Sequence, residues 1–183
     1  MNGLKIDRCW RGGVLVSIIA CMTKTCDSEF QYARLMDAAI EQALIAQDQG
    51  DVPIGAVIAN ADGEIIASAY NRRIIDADPT AHAEVLAIRA AAGAIGDWRL
   101  GGCTLAVTLE PCCMCAGAIV LSRIDKIVYG ATDPKGGAVD TLYHICNDER
   151  LNHRCEIIAG VKAAGCGQLL TDFFRAQRAA GKK

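Results

Sequence analysis

Two short stretches constrain this chain more than anything else in it. They are Thr80-Ala81-His82-Ala83-Glu84 and, about thirty positions on, Leu109-Glu110-Pro111-Cys112-Cys113-Met114-Cys115. Between them they supply one imidazole, two thiols and a carboxylate, the parts a catalytic zinc site needs. Zinc favours tetrahedral N and S ligands, and catalytic sites use three protein ligands, leaving the fourth position to water. Cys112 and Cys115 lie three apart, so on one helical turn both thiols face the same way. A helix that starts at Pro111 also puts both near its positive end, which favours thiolate. His82 is the third ligand, and Glu84 is placed to handle protons. A fold for this chain has to bring the two stretches to one point.

Each motif alone has a plainer reading. A lone C-x-x-C is a redox pair or half of a structural zinc site, and a lone His-Ala-Glu is ordinary helix. Redox chemistry leaves His82 and Glu84 without a task. The chain has only three histidines, which makes the joint occurrence hard to assign to chance. Cys113 as a fourth ligand would close the position that water needs, and His144 and His153 belong to neither motif. The H-x-E…P-C-x-x-C arrangement is the signature of zinc-dependent nucleobase deaminases.

At 183 residues the chain is most simply one domain with a substantial core. Hydrophobic residues make up 52% but aromatics only 5%, so the core is built from Ala, Ile, Val and Leu. Ten cysteines in a chain this long, three of them in one motif and the rest scattered, suit a reducing cytosol rather than a disulfide scaffold. A net charge of −2 excludes an all-over basic nucleic-acid binder but leaves room for a local patch. The tail offers one, with Arg175, Arg178, Lys182 and Lys183 against Asp172.

Residues 1–27 read as a disordered extension ahead of a single domain over 28–183. Lys5, Arg8 and Arg11 precede an apolar run, Val14 to Met22, which resembles a short secretion signal, and Ile18-Ile19-Ala20-Cys21 loosely resembles a lipoprotein cleavage site. The run is too short to span a bilayer. The favoured reading is a dispensable extension with translation starting at Met22. From Ser28, a capping residue, helical spacing of Tyr32, Leu35, Met36, Ala39, Ile40, Ala43 and Leu44 predicts a helix up to Gly50. Strands are predicted over 54–59 and 64–70, joined by the hairpin turn Asn60-Ala61-Asp62-Gly63. A loop over 71–79 leads into a helix from Thr80 that fades at Gly93 or Gly96. Strand 105–109, helix 112–122 and strand 126–130 form a βαβ unit. A Gly-rich loop at 133–137, a less regular stretch, a short strand at 155–158 and a helix from about Val161 to Ala180 complete the chain. This order predicts one mixed sheet with helices on both faces, the motifs meeting at helix N-termini.

The sequence closely resembles the bacterial tRNA-specific adenosine deaminases of the cytidine-deaminase-like superfamily, from about Glu29 to Arg178. Beyond the zinc motifs the resemblance rests on Val52-Pro53-Ile54-Gly55-Ala56-Val57, Asn71-Arg72, Asp78-Pro79 before Thr80, and Ser122-Arg123-Ile124. It continues with Asn152-His153-Arg154 and Leu169-Leu170-Thr171-Asp172-Phe173-Phe174-Arg175. The zinc motifs alone fit cytidine, deoxycytidylate, guanine and riboflavin-pathway deaminases almost equally well; Asn-His-Arg and the Asp-Phe-Phe-Arg tail are what discriminate.

The resemblance implies a three-layer α/β/α fold around a five-stranded mixed sheet and hydrolytic conversion of adenosine to inosine at the wobble position of tRNA. It further implies one zinc per subunit, held by His82, Cys112 and Cys115, which lowers the pKa of its bound water. Glu84 would take the water's proton, pass it to ring nitrogen N1 and protonate the departing ammonia, with C6 the attacked carbon. Asn71 would bond the flipped-out base, the Ala83 N–H its edge, and Leu109 would pack on the ring. Asp133 and Phe174 would meet the nucleic acid. Plainer roles stand beside these: Asn71 as a turn residue, Leu109 as strand core, Asp133 as the residue before Pro134, and either of Phe173 and Phe174 as core. The expected partner is the anticodon arm of tRNA, the expected assembly a cytoplasmic homodimer with no membrane contact. A free guanine- or cytidine-type deaminase on the same fold is the alternative, as is a non-catalytic zinc-bound RNA-binding subunit, against which Glu84 argues.

Overall fold

In a computed structural model, which describes residues 12–181, alternation along three strands explains the architecture. Ala56 and Ile58 on one strand, Leu105 and Val107 on the next, and Ile127 and Tyr129 on a third all enter one buried cluster. Their neighbours Val57, Ala59, Ala106 and Val128 enter a second. A strand buried on both faces reads as a continuous apolar run, as these do. The result is a sheet between two helical layers.

The elements are α1 (Gly12–Asp48), β1 (Gly55–Ala59), β2 (Ile65–Tyr70), α2 (Ala83–Ile95), β3 (Thr104–Leu109), α3 (Cys113–Ser122), β4 (Lys126–Ala131), β5 (Glu156–Ile158) and α4 (Ala163–Ala179). A 3-10 turn, Ile145–Asn147, precedes β5. The strands lie in the order β2-β1-β3-β4-β5. β2 and β3 each run antiparallel to β1, while β3, β4 and β5 are mutually parallel. The expected three-layer, five-stranded mixed sheet is therefore present.

The chain divides into two compact units, Met1–Gln31 and Tyr32–Lys183. Within the first, the described backbone is the opening part of α1. The helix thus begins at Gly12 rather than at Ser28: no glycine or proline lies between Gly13 and Ser28 to stop it. Residues 1–11 of the expected extension, and Lys182 and Lys183 of the tail, lie outside the described residues.

In the second unit α2 and α3 cover one face through Ala83, Ala87, Ala91, Ala116, Ile119 and Val120. α1 and α4 cover the other through Leu35, Met36, Ala39 and Cys166. Two glycines set the approach on that side. A Cβ on Gly55 would stand 2.1 Å from the Ala39 carbonyl, and one on Gly130 would stand 2.5 Å from Cys166 Sγ. Small residues let helix and sheet backbones meet at these points, and alanine-rich helix faces do the rest.

Candidate metal centre

Two of the three ligands, His82 and Cys112, stand just ahead of their helices, while Cys115 lies in the first turn of α3. α2 begins at Ala83 rather than Thr80: Asp78 holds the Thr80 N–H and hydroxyl in a turn, each at 2.7 Å, and the Thr80 and Ala81 carbonyls accept the His82 and Arg72 N–H groups instead of helical ones. His82 is consequently the N-cap, with extended backbone at φ −77° and ψ 147°. Cys112 is the N-cap of α3 in the same way, at φ −76° and ψ 174°. Two helix N-termini, each preceded by an extended residue, thus point their ligands at one spot.

At that spot His82 Nδ1 lies 3.7 Å from Cys112 Sγ and 3.5 Å from Cys115 Sγ. The three donor atoms all fall within 4.8 Å of one another. Zinc–nitrogen and zinc–sulfur bonds of about 2.05 and 2.3 Å at a tetrahedral angle put N and S about 3.6 Å apart. The donor set fits zinc in both kind and spacing. Cys113 and Met114, between the two thiols, are exposed and face elsewhere.

The charges are tightly linked. Cys112 is pulled down to about 3 by hydrogen bonding from Cys115 and then from His82. The Cys115 thiol is pushed up by that same pairing and by burial. His82 is raised, chiefly by its bond to Cys112. Glu84, in the first turn of α2 and only 4% exposed, is raised by burial.

The remaining expected residues fall into two groups. Ala83 heads α2 and is buried. Asn71 ends the β1–β2 hairpin, its N–H donating to the Ile54 carbonyl. Leu109, Asp133 and Phe174 share a cleft of about 650 Å³, lined also by Pro134, Lys135 and Arg178. Phe174 is exposed, while Phe173 turns into the core with the rings edge to face at 5.4 Å. His153 Nε2 pairs with the Ile124 carbonyl at 2.7 Å, a loop-ordering role. Arg72 is committed to Asp76 through two hydrogen bonds and to Tyr70.

Two further buried carboxylates adjoin the expected site residues, although neither stood out in the sequence. Asp51 is fully buried and accepts the Asn71 side-chain amide at 2.7 Å and the Ile74 N–H at 2.7 Å. An ionised carboxylate only accepts, so the amide must turn its nitrogen to Asp51 and its oxygen away. That oxygen has no partner. Glu110 adjoins the cysteine motif and accepts hydrogen bonds from Asp133, Val139, Asp140 and Thr141. Burial alone would raise its carboxyl, but these bonds, with that of the Thr141 hydroxyl first among them, hold it at about 2. The only sequence signal for either was an acid placed amid apolar neighbours.

Residues 30–131 match the family described as the cytidine and deoxycytidylate deaminase zinc-binding region. The tRNA-specific adenosine deaminase of Bacillus subtilis (strain 168) is 52% identical over 143 residues, covering 78% of this chain and 88% of that protein. That of Haemophilus influenzae is 45% identical over 151 residues, covering 82% and 87%. A solved structure from a study of A-to-I editing by tRNA:A34 deaminases at the wobble position superposes with a TM-score of 0.72 at 42% identity. It covers 75% of this chain and 99% of the other.

Proposed function

The chain belongs to the tRNA-specific adenosine deaminases, within the cytidine and deoxycytidylate deaminase family, and from that membership we propose that it hydrolyses adenosine to inosine at the wobble position, A34, of tRNA. The observation that carries the reading is the His82–Cys112–Cys115 triangle, its two N–S edges at the lengths of a zinc tetrahedron, with the buried Glu84 two residues from the histidine.

His82 Nδ1 and the Cys112 and Cys115 thiolates would hold one zinc per subunit. Zinc, when bound, supplies a Lewis acid that brings the pKa of a coordinated water toward neutrality. Glu84 is the proton carrier. Its carboxylate takes a proton from the attacking water and delivers it to N1 as C6 is attacked, then carries the remaining hydroxyl proton to the amino group, which leaves as ammonia as the C6–N bond breaks. Buried in the first turn of α2, the side chain has little freedom to move away from the ligands. Asn71 presents its amide to the flipped-out base, the Ala83 N–H meets the base edge, and Leu109 packs on the ring. Asp133 and Phe174 face the nucleotides on either side.

The anticodon arm is the substrate region, and residues 28–183 form the single deaminase domain, with 1–27 an extension to it. The working assembly is a homodimer in the cytoplasm. Among the described residues no helix is long and apolar enough to cross a membrane.

The test is direct. Purified, zinc-loaded protein is expected to convert a stem-loop carrying adenosine-34 to its inosine form. Turnover confined to free guanine, cytidine or adenosine, assayed beside it, would overturn the reading.

A further inference from the structure

Glu110 is the most heavily hydrogen-bonded side chain among the described residues, and the chemistry outlined above makes no use of it. It lies at the end of β3, two residues before Cys112, and is 2% exposed. Its Oε1 accepts the N–H groups of Val139 at 3.2 Å, Asp140 at 2.8 Å and Thr141 at 2.9 Å. Its Oε2 accepts the Asp133 N–H at 3.0 Å and the Thr141 hydroxyl. One carboxylate therefore gathers donors from both ends of the segment 133–141.

The same segment is tied to the cysteine motif by its backbone. Gly137 forms an antiparallel bridge with Cys112, and the Ala138 N–H donates to the Pro111 carbonyl at 2.8 Å. Gly137 has no side chain where the carboxylate lies: a Cβ there would stand 2.4 Å from the Glu110 Cδ and Oε2. The outer part of the segment, Asp133-Pro134-Lys135, forms one wall of the 650 Å³ cleft that Leu109 and Phe174 also line.

From this arrangement we infer that Glu110 is a positioning residue: it locks the segment 133–141 so that the ligand Cys112 and the cleft wall hold one fixed relation. The inference rests on the deaminase reading for what enters the cleft, but not for the lock itself. A carboxylate is required because five donors face it and it carries none. Ionised Glu accepts at every lone pair, whereas an amide must direct two N–H groups at groups that also donate.

Glu110→Gln separates the two ends. The amide oxygen keeps the three N–H groups of 139–141, and its nitrogen is left against the Asp133 N–H; the Thr141 hydroxyl can reverse and accept. The lesion therefore falls on the cleft wall. Full-length protein would be compared with wild type in amide hydrogen exchange, zinc content and steady-state kinetics on the adenosine-34 stem-loop. Exchange at the Asp133 and Lys135 amides is expected to quicken selectively, with 139–141 and bound zinc unchanged. KM for the stem-loop should rise roughly tenfold, the loss of one hydrogen bond to a charged group, while kcat stays within about twofold. Gly137→Ala, which presses a methyl onto the carboxylate, should quicken exchange over the same segment. Its cost should not add to that of Glu110→Gln in the double variant. Unchanged exchange at Asp133 and Lys135, or equal quickening across the whole chain, would overturn the lock. If wild type itself fails on the stem-loop, the substrate reading fails, and the exchange pattern still decides the role of Glu110.

Discussion

At position 84 the structure places a carboxyl in the first turn of a helix, almost wholly out of water, two residues from a metal ligand. An acid there can carry a proton without competing for the metal. Glu84→Gln should therefore keep its zinc, measured by metal analysis, and lose turnover by about 10²–10⁴-fold or more, the range typical of general acid–base groups. Near-normal turnover would remove Glu84 from the mechanism. Asp51 is a different kind of acid. It takes hydrogen bonds from the Val52 and Ile74 N–H groups and the Asn71 amide, all at 2.7–2.8 Å. Asp51→Ala leaves the buried Asn71 amide and two part-buried N–H groups unmet, so thermal unfolding should show a loss of about 1–3 kcal/mol. A change under about 1 kcal/mol would mean that water replaces the carboxylate. The ligands and Glu84 were legible because metal chemistry dictates residue type and spacing, whereas Asp51 and Glu110 were not. Most of their partners are backbone N–H groups brought in from some twenty to thirty residues away, such as that of Ile74 for Asp51 and those of Asp133 and Val139 to Thr141 for Glu110, and no side-chain pattern announces such donors.

Among the elements, the sheet and its helices follow the periodicity closely, and the departures sit at ends. α2 starts three residues later than Thr80 because the Thr80 carbonyl accepts the His82 N–H and the Ala81 carbonyl accepts the Arg72 N–H, so neither is free to accept from the helix. That displacement is what makes His82 a cap with extended backbone. The start of α1 shows the converse, helix propagating through Ser28 where nothing stops it. Strand β5, three residues long, owes its existence to pairing with β4. Close approach of elements is testable at Gly55. A methyl there meets the Ala39 carbonyl at 2.1 Å and the Ala43 nitrogen at 2.4 Å, both backbone atoms that cannot swing aside. Gly55→Ala should force α1 away from β1 and cost about 1–3 kcal/mol, the range for overpacking. Chemical denaturation that shows no loss would mean the helix shifts without strain.

For the molecule as a whole the open question is what selects RNA. A zinc site sees one base, so preference for an anticodon loop over free adenosine must come from interactions with the flanking nucleotides. With a net charge of −2 those interactions are confined to patches. The structure sorts the candidates. Arg72 is held by Asp76, and Arg175 by Asp172 at 2.9 Å in an exposed pair that offers little resistance to rearrangement. Lys135 and Arg178 both line the cleft of Leu109, Asp133 and Phe174. Replacing Lys135 and Arg178 together with Ala should raise KM for the stem-loop more than it lowers kcat. It should also flatten the dependence of log affinity on log salt by about 0.7 for each single-strand phosphate that is no longer neutralised. If these cations only solvate the surface, the pair of changes will move affinity by a few tenths of a kcal/mol and leave the salt slope intact. The same titration with free adenosine is the control, because a nucleoside brings no phosphates. A salt slope that falls with the stem-loop, beside negligible turnover of adenosine alone, places RNA selection in the cleft. Equal turnover of the two substrates would place it nowhere on this surface and make the enzyme a nucleoside deaminase.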